Sequence, residues 1–109
     1  MAQKSLEQAM TFASMVAAKQ GWKLNPDGEF TASLVEGLMT NWNRYGYFLC
    51  PCRDTEGSRE ADAKVICPCA PSWKDVEERG HCFCALYLSA AFAASGKPTT
   101  SIPDRRSQF

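Results

Sequence analysis

The six cysteines of this 109-residue chain share one arrangement: they form three pairs, each with a single residue between its members. The pairs are Cys50 and Cys52, Cys67 and Cys69, and Cys82 and Cys84. Two cysteines this close in sequence cannot easily form a disulfide with each other, because the closed ring is short and strained. Each pair must therefore be joined to another pair or to a metal, and three loops whose thiolates converge on a metal would also cross-link a small fold.

A single zinc ion is one candidate for this metal. Structural zinc sites favour two to four residues between paired cysteines, and they need four ligands in all. The one-residue spacing suits this geometry less well, and six thiols together with His81, the only histidine, exceed the required number of ligands. Zinc stays open as an alternative, in a non-enzymatic metal-binding module.

A 4Fe–4S cluster is the second candidate. It also takes four thiolates, but it is larger than one ion, so its ligands can come from separate loops. Four ligands leave two cysteines, which is the number needed for one redox-active disulfide. Pro51 and Pro68 lie inside the first two pairs, where each proline fixes its φ angle and holds the flanking sulfurs in a set relation.

The segments around the pairs predict a mainly α fold, a small single domain of short helices; if the second candidate for the metal is right, this is a domain with an iron–sulfur cluster held by the connecting loops. The predicted helices cover 4–20, 29–45, 58–65 and 71–79. Glycines follow three of them, and Ser58 and Ser72 are the expected caps of the last two. The apolar run 85–94 is open between strand and helix. Residues 97–109 are expected to form a flexible tail of a single domain spanning 1–109.

Charge and hydropathy exclude several classes of function. Twelve basic residues balance twelve acidic ones, so no net field attracts nucleic acid or a membrane. The first twenty residues lack the continuous apolar run of a signal peptide, and no segment reaches the roughly 18 apolar residues of a spanning helix. We therefore expect a cytoplasmic protein, a compartment in which three structural disulfides would be kept reduced.

The order of the cysteine pairs resembles the catalytic (beta) chain family of ferredoxin–thioredoxin reductase. That family carries two Cys-Pro-Cys pairs followed by Cys-His-Cys, which read here as 50–52, 67–69 and 82–84. The apolar CALYL run after the last pair and the two leading helices are also similar. The resemblance covers about residues 5–90, and its specificity lies in the ordered pairs.

The resemblance implies a ligand set and a catalytic pair. The implied ligands of the 4Fe–4S cluster are Cys50, Cys67, Cys69 and Cys82. Cys52 and Cys84 are then the redox-active disulfide beside the cluster, with Cys52 as the attacking sulfur. Arg53, next to Cys52, is expected to lower the pKa of that thiol.

The resemblance also implies an activity and partners. The chain would be a ferredoxin-dependent protein-disulfide (thioredoxin) reductase, which passes single electrons from a ferredoxin-like donor to a thioredoxin-like substrate. Family enzymes in oxygenic phototrophs have a small companion subunit. A simple electron carrier without disulfide chemistry is the remaining alternative.

Two departures from the family pattern affect these expectations. Phe83 stands where the family has the central histidine of its third pair, so His81 is a candidate for proton handling, with solvent or a carboxylate as the alternatives. The gaps between pairs, 53–66 and 70–81, also differ in length from those of the family. Loop length does not change the number of ligands. The substitution at Phe83 is therefore the departure that matters more, because it affects the expected source of protons.

Overall fold

The first helix ends where the sequence predicts and begins two residues later than predicted. In this computed structural model, which describes residues 3–51 and 57–103, helix α1 covers Leu6–Gln20. The Ser5 side chain accepts a hydrogen bond from the Gln8 backbone N–H, and the Gln8 side chain accepts one from the Ser5 N–H. This reciprocal cap satisfies two N–H groups that the first turn leaves without partners. Gly21 ends the helix with φ of 75°.

The second helix, α2, covers Gly28–Tyr45 and confirms the prediction for 29–45. Its N-terminus is capped by Asp27, whose carboxylate accepts a hydrogen bond from the Phe30 N–H at 3.1 Å. The two helices bury their facing sides in one apolar cluster, to which α1 contributes three alanines. Because alanine side chains are small, the two helix backbones can approach each other closely. The cluster residues of these helices are Ala9, Ala13, Ala17, Leu34, Val35 and Leu38.

A two-stranded antiparallel sheet was not predicted from the sequence. Strand β1 is Trp22–Leu24, and strand β2 is Tyr87–Ser89. Leu24 pairs with Tyr87, and Trp22 pairs with Ser89. Helix α4, Ala90–Ser95, follows at once. The run 85–94, which was open between strand and helix, therefore contains one of each.

The helix expected at 71–79 forms, but its predicted cap is wrong. Helix α3 covers Ser72–Arg79 and its N-cap is Pro71. The Ser72 hydroxyl donates instead to the Cys69 carbonyl at 2.6 Å. The helix expected at 58–65 is reduced to a single 3-10 turn, Ala63–Val65. This turn ends at Val65 because Ile66 is extended and forms an antiparallel bridge with Leu49.

The described residues form one small domain, about half helical, with the two-stranded sheet added to the expected helices. Its Cα radius of gyration is 13.2 Å, close to the value of about 13 Å typical of a compact domain of this length. The stretch 97–103 has no regular secondary structure, yet Ile102 within it is buried. None of the helices described is long and apolar enough to cross a membrane.

A pair of glycine substitutions tests how α4 is held. A Cβ on Gly80, which has φ of 89°, would lie 2.2 Å from the Phe92 ring, whereas a Cβ on Gly21 would meet nothing within 4 Å. Both Gly80→Ala and Gly21→Ala carry the left-handed backbone cost of about 1–2 kcal/mol. We expect Gly80→Ala to lower the free energy of unfolding by roughly a further 1–3 kcal/mol, because Phe92 must move. Equal losses in urea titrations of the two variants would contradict this packing.

Candidate functional site

The first two cysteine pairs are brought side by side by a short antiparallel ladder. Leu49 and Ile66 are bridge partners. The Cys50 N–H donates to the Val65 carbonyl at 2.9 Å, and the Cys67 N–H donates to the Phe48 carbonyl at 2.7 Å. These bonds connect segments that are far apart in sequence. They place the first cysteine of each pair on neighbouring extended segments.

The first pair is also fixed against the helices. Phe48, two residues before Cys50, stacks on Phe12 of α1 with ring centroids 4.1 Å apart. It also packs on Trp42 of α2 at 4.9 Å. Pro51 lies so close to α2 that a Cβ on Gly37 would be 2.7 Å from the proline Cβ. Glycine at this point of the helix therefore permits the contact.

The third pair lies in the loop of a tight hairpin that continues the sheet. The Cys82 N–H donates to the Tyr87 carbonyl at 3.0 Å, and the Ala85 N–H closes the turn on the Cys82 carbonyl at 2.9 Å. Ala85 has a left-handed φ of 63°. Its carbonyl accepts a hydrogen bond from the Asn25 side-chain amide at 3.0 Å. The turn between β1 and α2 thus holds the loop of the third pair.

Four of the cysteines predicted to be site residues converge, and a fifth is also buried. Three implied ligands and Cys84 belong to the apolar cluster that also contains the buried faces of α1 and α2. The cysteines in this cluster are Cys50, Cys67, Cys82 and Cys84. The Cys82 and Cys84 sulfurs are 3.9 Å apart. Cys69 is buried as well, but the cluster drawn from the described residues does not contain it.

The remaining thiol of the prediction, Cys52, and the neighbouring Arg53 lie outside the described residues. Their roles stay predictions. Cys84, the implied disulfide partner of Cys52, borders a cavity of about 310 Å³. Phe30, Phe83 and residues 99–101 line the same cavity, so the third pair has one side toward the core and another toward this opening.

Burial governs the chemistry of the converging thiols. It raises the pKa of the Cys67 thiol well above its usual range, and the Cys50 and Cys82 sulfurs raise it further, against a hydrogen bond with Tyr87. The pKa of Cys82 is lowered, chiefly because its sulfur is hydrogen-bonded to Cys84, although burial opposes this. A buried thiolate needs nearby donors or positive charge, and a coordinated metal supplies the latter.

Tyr87 is a site residue that the sequence did not reveal. Its hydroxyl lies 3.2 Å from the Cys67 sulfur, and its backbone N–H donates to the Cys82 sulfur at 3.4 Å. In the sequence it is one apolar residue among several in the CALYL run, and no spacing rule singles it out. Only the hairpin and the sheet bring it to two different cysteine pairs.

His81 is held by the backbone on both sides of its ring. Nδ1 lies 2.7 Å from the Cys82 carbonyl oxygen, and Nε2 accepts a hydrogen bond from the Thr100 N–H at 3.2 Å. An accepting Nε2 leaves the ring proton on Nδ1, which then donates to the carbonyl. The ring is only 1 % exposed. In this position His81 connects the third pair to the stretch 97–103.

The donor set fits an iron–sulfur cluster. Buried thiolates in an apolar surrounding are the usual ligands of such clusters, and the described thiols lie on three separate loops. Within residues 3–51 and 57–103, no three histidine, cysteine or carboxylate side chains form a group that could hold a single metal ion. The fit therefore rests on donor chemistry: Cys50, Cys67 and Cys82 share one apolar cluster, and Cys69 is the fourth implied donor.

Comparison with known proteins gives one consistent result. A family described as "Ferredoxin thioredoxin reductase catalytic beta chain" matches residues 1–105. The chain is similar to the ferredoxin-thioredoxin reductase catalytic chain of Porphyra purpurea, with 33% identity over 78% of this chain and 70% of the relative. It is similar to that of Cyanidium caldarium, with 33% identity over 86% and 83%. The chloroplastic protein of Arabidopsis thaliana is 31% identical over 94% and 68%.

The same comparison corrects the expected location. The relatives from Arabidopsis thaliana and Spinacia oleracea are named chloroplastic, so the cytoplasmic location predicted from the sequence is wrong. The prediction rested on the lack of a secretory signal peptide and of a membrane-spanning segment. These two features speak only to export and to membrane insertion, and they do not distinguish one interior compartment from another.

The contact between Gly37 and Pro51 can be tested by adding one methyl group. In a helix interior, Gly→Ala ordinarily stabilises by about 1 kcal/mol. Gly37→Ala should instead lower the free energy of unfolding by about 1–2 kcal/mol, because the new methyl overlaps Pro51 and overpacks the contact. Alkylation of Cys50, which is 3% exposed, should become faster. Gly28→Ala is the matched control, since a Cβ there meets nothing within 4 Å. A stabilised Gly37→Ala variant would contradict the contact.

Proposed function

Since this chain belongs to the ferredoxin thioredoxin reductase catalytic beta chain family, we propose that it takes electrons from a ferredoxin-like donor and reduces the disulfide of a thioredoxin-like protein. Membership confirms the resemblance drawn from the cysteine pairs and the enzyme class expected from it. The observation that carries the proposal is the convergence of Cys50, Cys67 and Cys82 in one buried cluster, with Cys84 beside Cys82.

We assign the 4Fe–4S cluster to Cys50, Cys67, Cys69 and Cys82. When bound, the cluster supplies electrons singly, which matches a one-electron donor to a disulfide whose reduction needs two. The chain's part is to keep the ligand sulfurs dry and in place. The ladder through Leu49 and Ile66 positions the first two pairs, and the hairpin that ends at Tyr87 positions the third.

Cys52 and Cys84 are the proposed redox pair. Two electrons and two protons convert their disulfide to two thiols. The Cys52 thiolate then attacks the disulfide of the partner, so that a mixed disulfide forms and one partner sulfur leaves as a thiolate. The Cys84 sulfur next attacks Cys52, which releases the second partner thiol and restores the Cys52–Cys84 bond. The cavity bordered by Cys84 and Phe83 gives the partner a place to reach this pair.

The protons of this cycle need a source other than His81 in its present position. Both ring nitrogens of His81 are engaged with backbone groups, at Cys82 and at Thr100. The ring can exchange a proton with the site only after one of these bonds breaks. We therefore assign His81 a structural role, and we assign the supply of protons to water at the cavity beside Cys84.

The electron donor and the protein with the disulfide can bind to different sides of the molecule. Its shortest dimension is 22 Å, so a buried centre is near more than one surface. Cys84 borders the cavity, and the apolar cluster that it shares with Cys50 and Cys67 extends to the buried faces of α1 and α2. A small companion subunit, as in relatives that resemble this chain in oxygenic phototrophs, remains part of the proposal.

Two other functions are compatible with the cysteines alone. A zinc-binding module would use the same buried sulfurs without redox chemistry, and a simple electron carrier would use the cluster without the Cys52–Cys84 pair. Neither accounts for family membership in a disulfide reductase. Both predict different metal contents or different thiol behaviour from the reductase.

The metal content and two classes of cysteine variants test the proposal. Protein purified without oxygen should carry about four irons per chain. Cys67→Ser should lose most of this iron, since it removes a buried ligand. Cys84→Ser and Cys52→Ser should keep the iron but lose thioredoxin-disulfide reduction by at least about 100-fold, because the redox pair is broken.

Three results would overturn the proposal or parts of it. Stoichiometric zinc in place of iron would exclude the reductase. Full disulfide reduction by Cys52→Ser would show that the attacking sulfur is another one. Iron-loaded wild-type protein in which no thiol becomes alkylatable on reduction would identify an electron carrier.

A further inference from the structure

Tyr87 is the residue that touches two of the proposed ligands from a single position. Its hydroxyl oxygen is 3.2 Å from the sulfur of Cys67, in the second pair. Its backbone N–H donates to the sulfur of Cys82, in the third pair, at 3.4 Å. These two sulfurs come from different loops. One tyrosine therefore connects both loops through hydrogen bonds to sulfur.

The position of Tyr87 is set by packing that does not depend on the sulfurs. It pairs with Leu24 across the sheet, and its carbonyl accepts a hydrogen bond from the Cys82 N–H. Its ring packs against Trp22 with centroids 5.4 Å apart. The residue is only 1% exposed. A buried phenol needs a hydrogen-bond partner, and the sulfur of Cys67 is the partner that the described residues give it.

The direction of this hydrogen bond follows from the state of the sulfur. The phenol of a tyrosine ordinarily carries its proton at neutral pH and can donate it in a hydrogen bond, and the Tyr87 hydroxyl lies 3.2 Å from the Cys67 sulfur. A sulfur that ligates a metal is a thiolate and has no proton to give. In the loaded protein the hydroxyl therefore donates, and Cys67 accepts.

We propose that Tyr87 is a positioning residue of the metal centre, which orients the Cys67 ligand and raises the reduction potential of the cluster through its hydroxyl. The proposal rests on the proposed function, because it requires Cys67 to be a cluster ligand. Hydrogen bonds to ligand sulfurs set cluster potentials, since a donor stabilises the more negative reduced state more than the oxidised state. In the apolar cluster around Cys67 little solvent screens this effect.

The side chain can be separated from the backbone contribution by experiment. Tyr87→Phe removes the hydroxyl and leaves the backbone hydrogen bond to Cys82, the strand pairing and the ring. Tyr45→Phe is the matched control, because it deletes a hydroxyl from a partly buried tyrosine that packs on Tyr47, in a different apolar cluster of the described residues from the one that contains the cysteines.

We expect Tyr87→Phe to make the cluster harder to reduce. At a fixed ambient potential the ratio of reduced to oxidised cluster should fall about three- to tenfold, and tenfold corresponds to 59 mV for a one-electron couple. Redox titration followed by visible absorption measures this ratio. Resonance Raman spectra should show a higher Fe–S(Cys) stretching frequency, because the sulfur no longer shares electron density with a donor. Tyr45→Phe should match the wild type in both measurements.

A second change keeps the fold and predicts the opposite sign. Incorporation of 3-fluorotyrosine makes each phenol a stronger donor at nearly constant volume. The labelled wild type should therefore have a higher potential than the unlabelled protein. The labelled Tyr87→Phe protein should show no such rise, which assigns the effect to position 87. This comparison remains informative even where Tyr87→Phe yields little folded protein.

The outcomes separate this inference from the function on which it rests. Wild-type protein without iron overturns both. Iron-loaded protein whose potential and Raman spectrum are the same with phenylalanine at 87, or whose potential rises, overturns the role of Tyr87 alone. An equal shift in Tyr45→Phe also overturns it, because the effect would then belong to hydroxyl loss in general.

Discussion

The exclusion of water from several thiols at once is the constraint on which the rest of the structure depends. Sulfurs from all three loops must leave solvent together, although burial alone disfavours the thiolate form that binds metal. The fold meets this demand with two short ladders, one through Leu49 and Ile66 and one through the hairpin at Cys82. Backbone N–H groups and the Tyr87 hydroxyl then replace water as the hydrogen-bond partners of the sulfurs.

The longer helices could be predicted from the sequence because their signals are local. Ser5 and Asp27 cap them, and Gly21 and Gly46 end them, all within a few residues of the helix termini. The sheet could not be predicted in this way. Its strands have three residues each, too few to show alternation, and they pair across more than 60 residues of chain. The expected helix at 58–65 was also wrong: only the 3-10 turn Ala63–Val65 forms, and it ends where Ile66 pairs with a distant partner, Leu49.

In the candidate site, too, the features that are local in sequence could be predicted and the long-range contacts could not. The spacing of the cysteines is visible in the sequence and led to the family. The residues that serve those cysteines are not visible, because Tyr87 reaches Cys67 over 20 positions and Asn25 reaches Ala85 over 60. His81 shows the converse case. Its identity and its place beside Cys82 indicated proton chemistry, yet its ring is used to join two backbone segments.

The contact of Gly37 with Pro51 joins the loop of the first cysteine pair to the interior of a helix, and it is possible because position 37 has no side chain. The two positions share one volume, so a residue larger than glycine at 37 is compatible only with a different backbone path at 51. Substitutions at these positions are therefore not independent of each other. In lineages of this fold, residues 37 and 51 should change together or not at all, because the size of the helix residue limits the backbone path of the first cysteine pair.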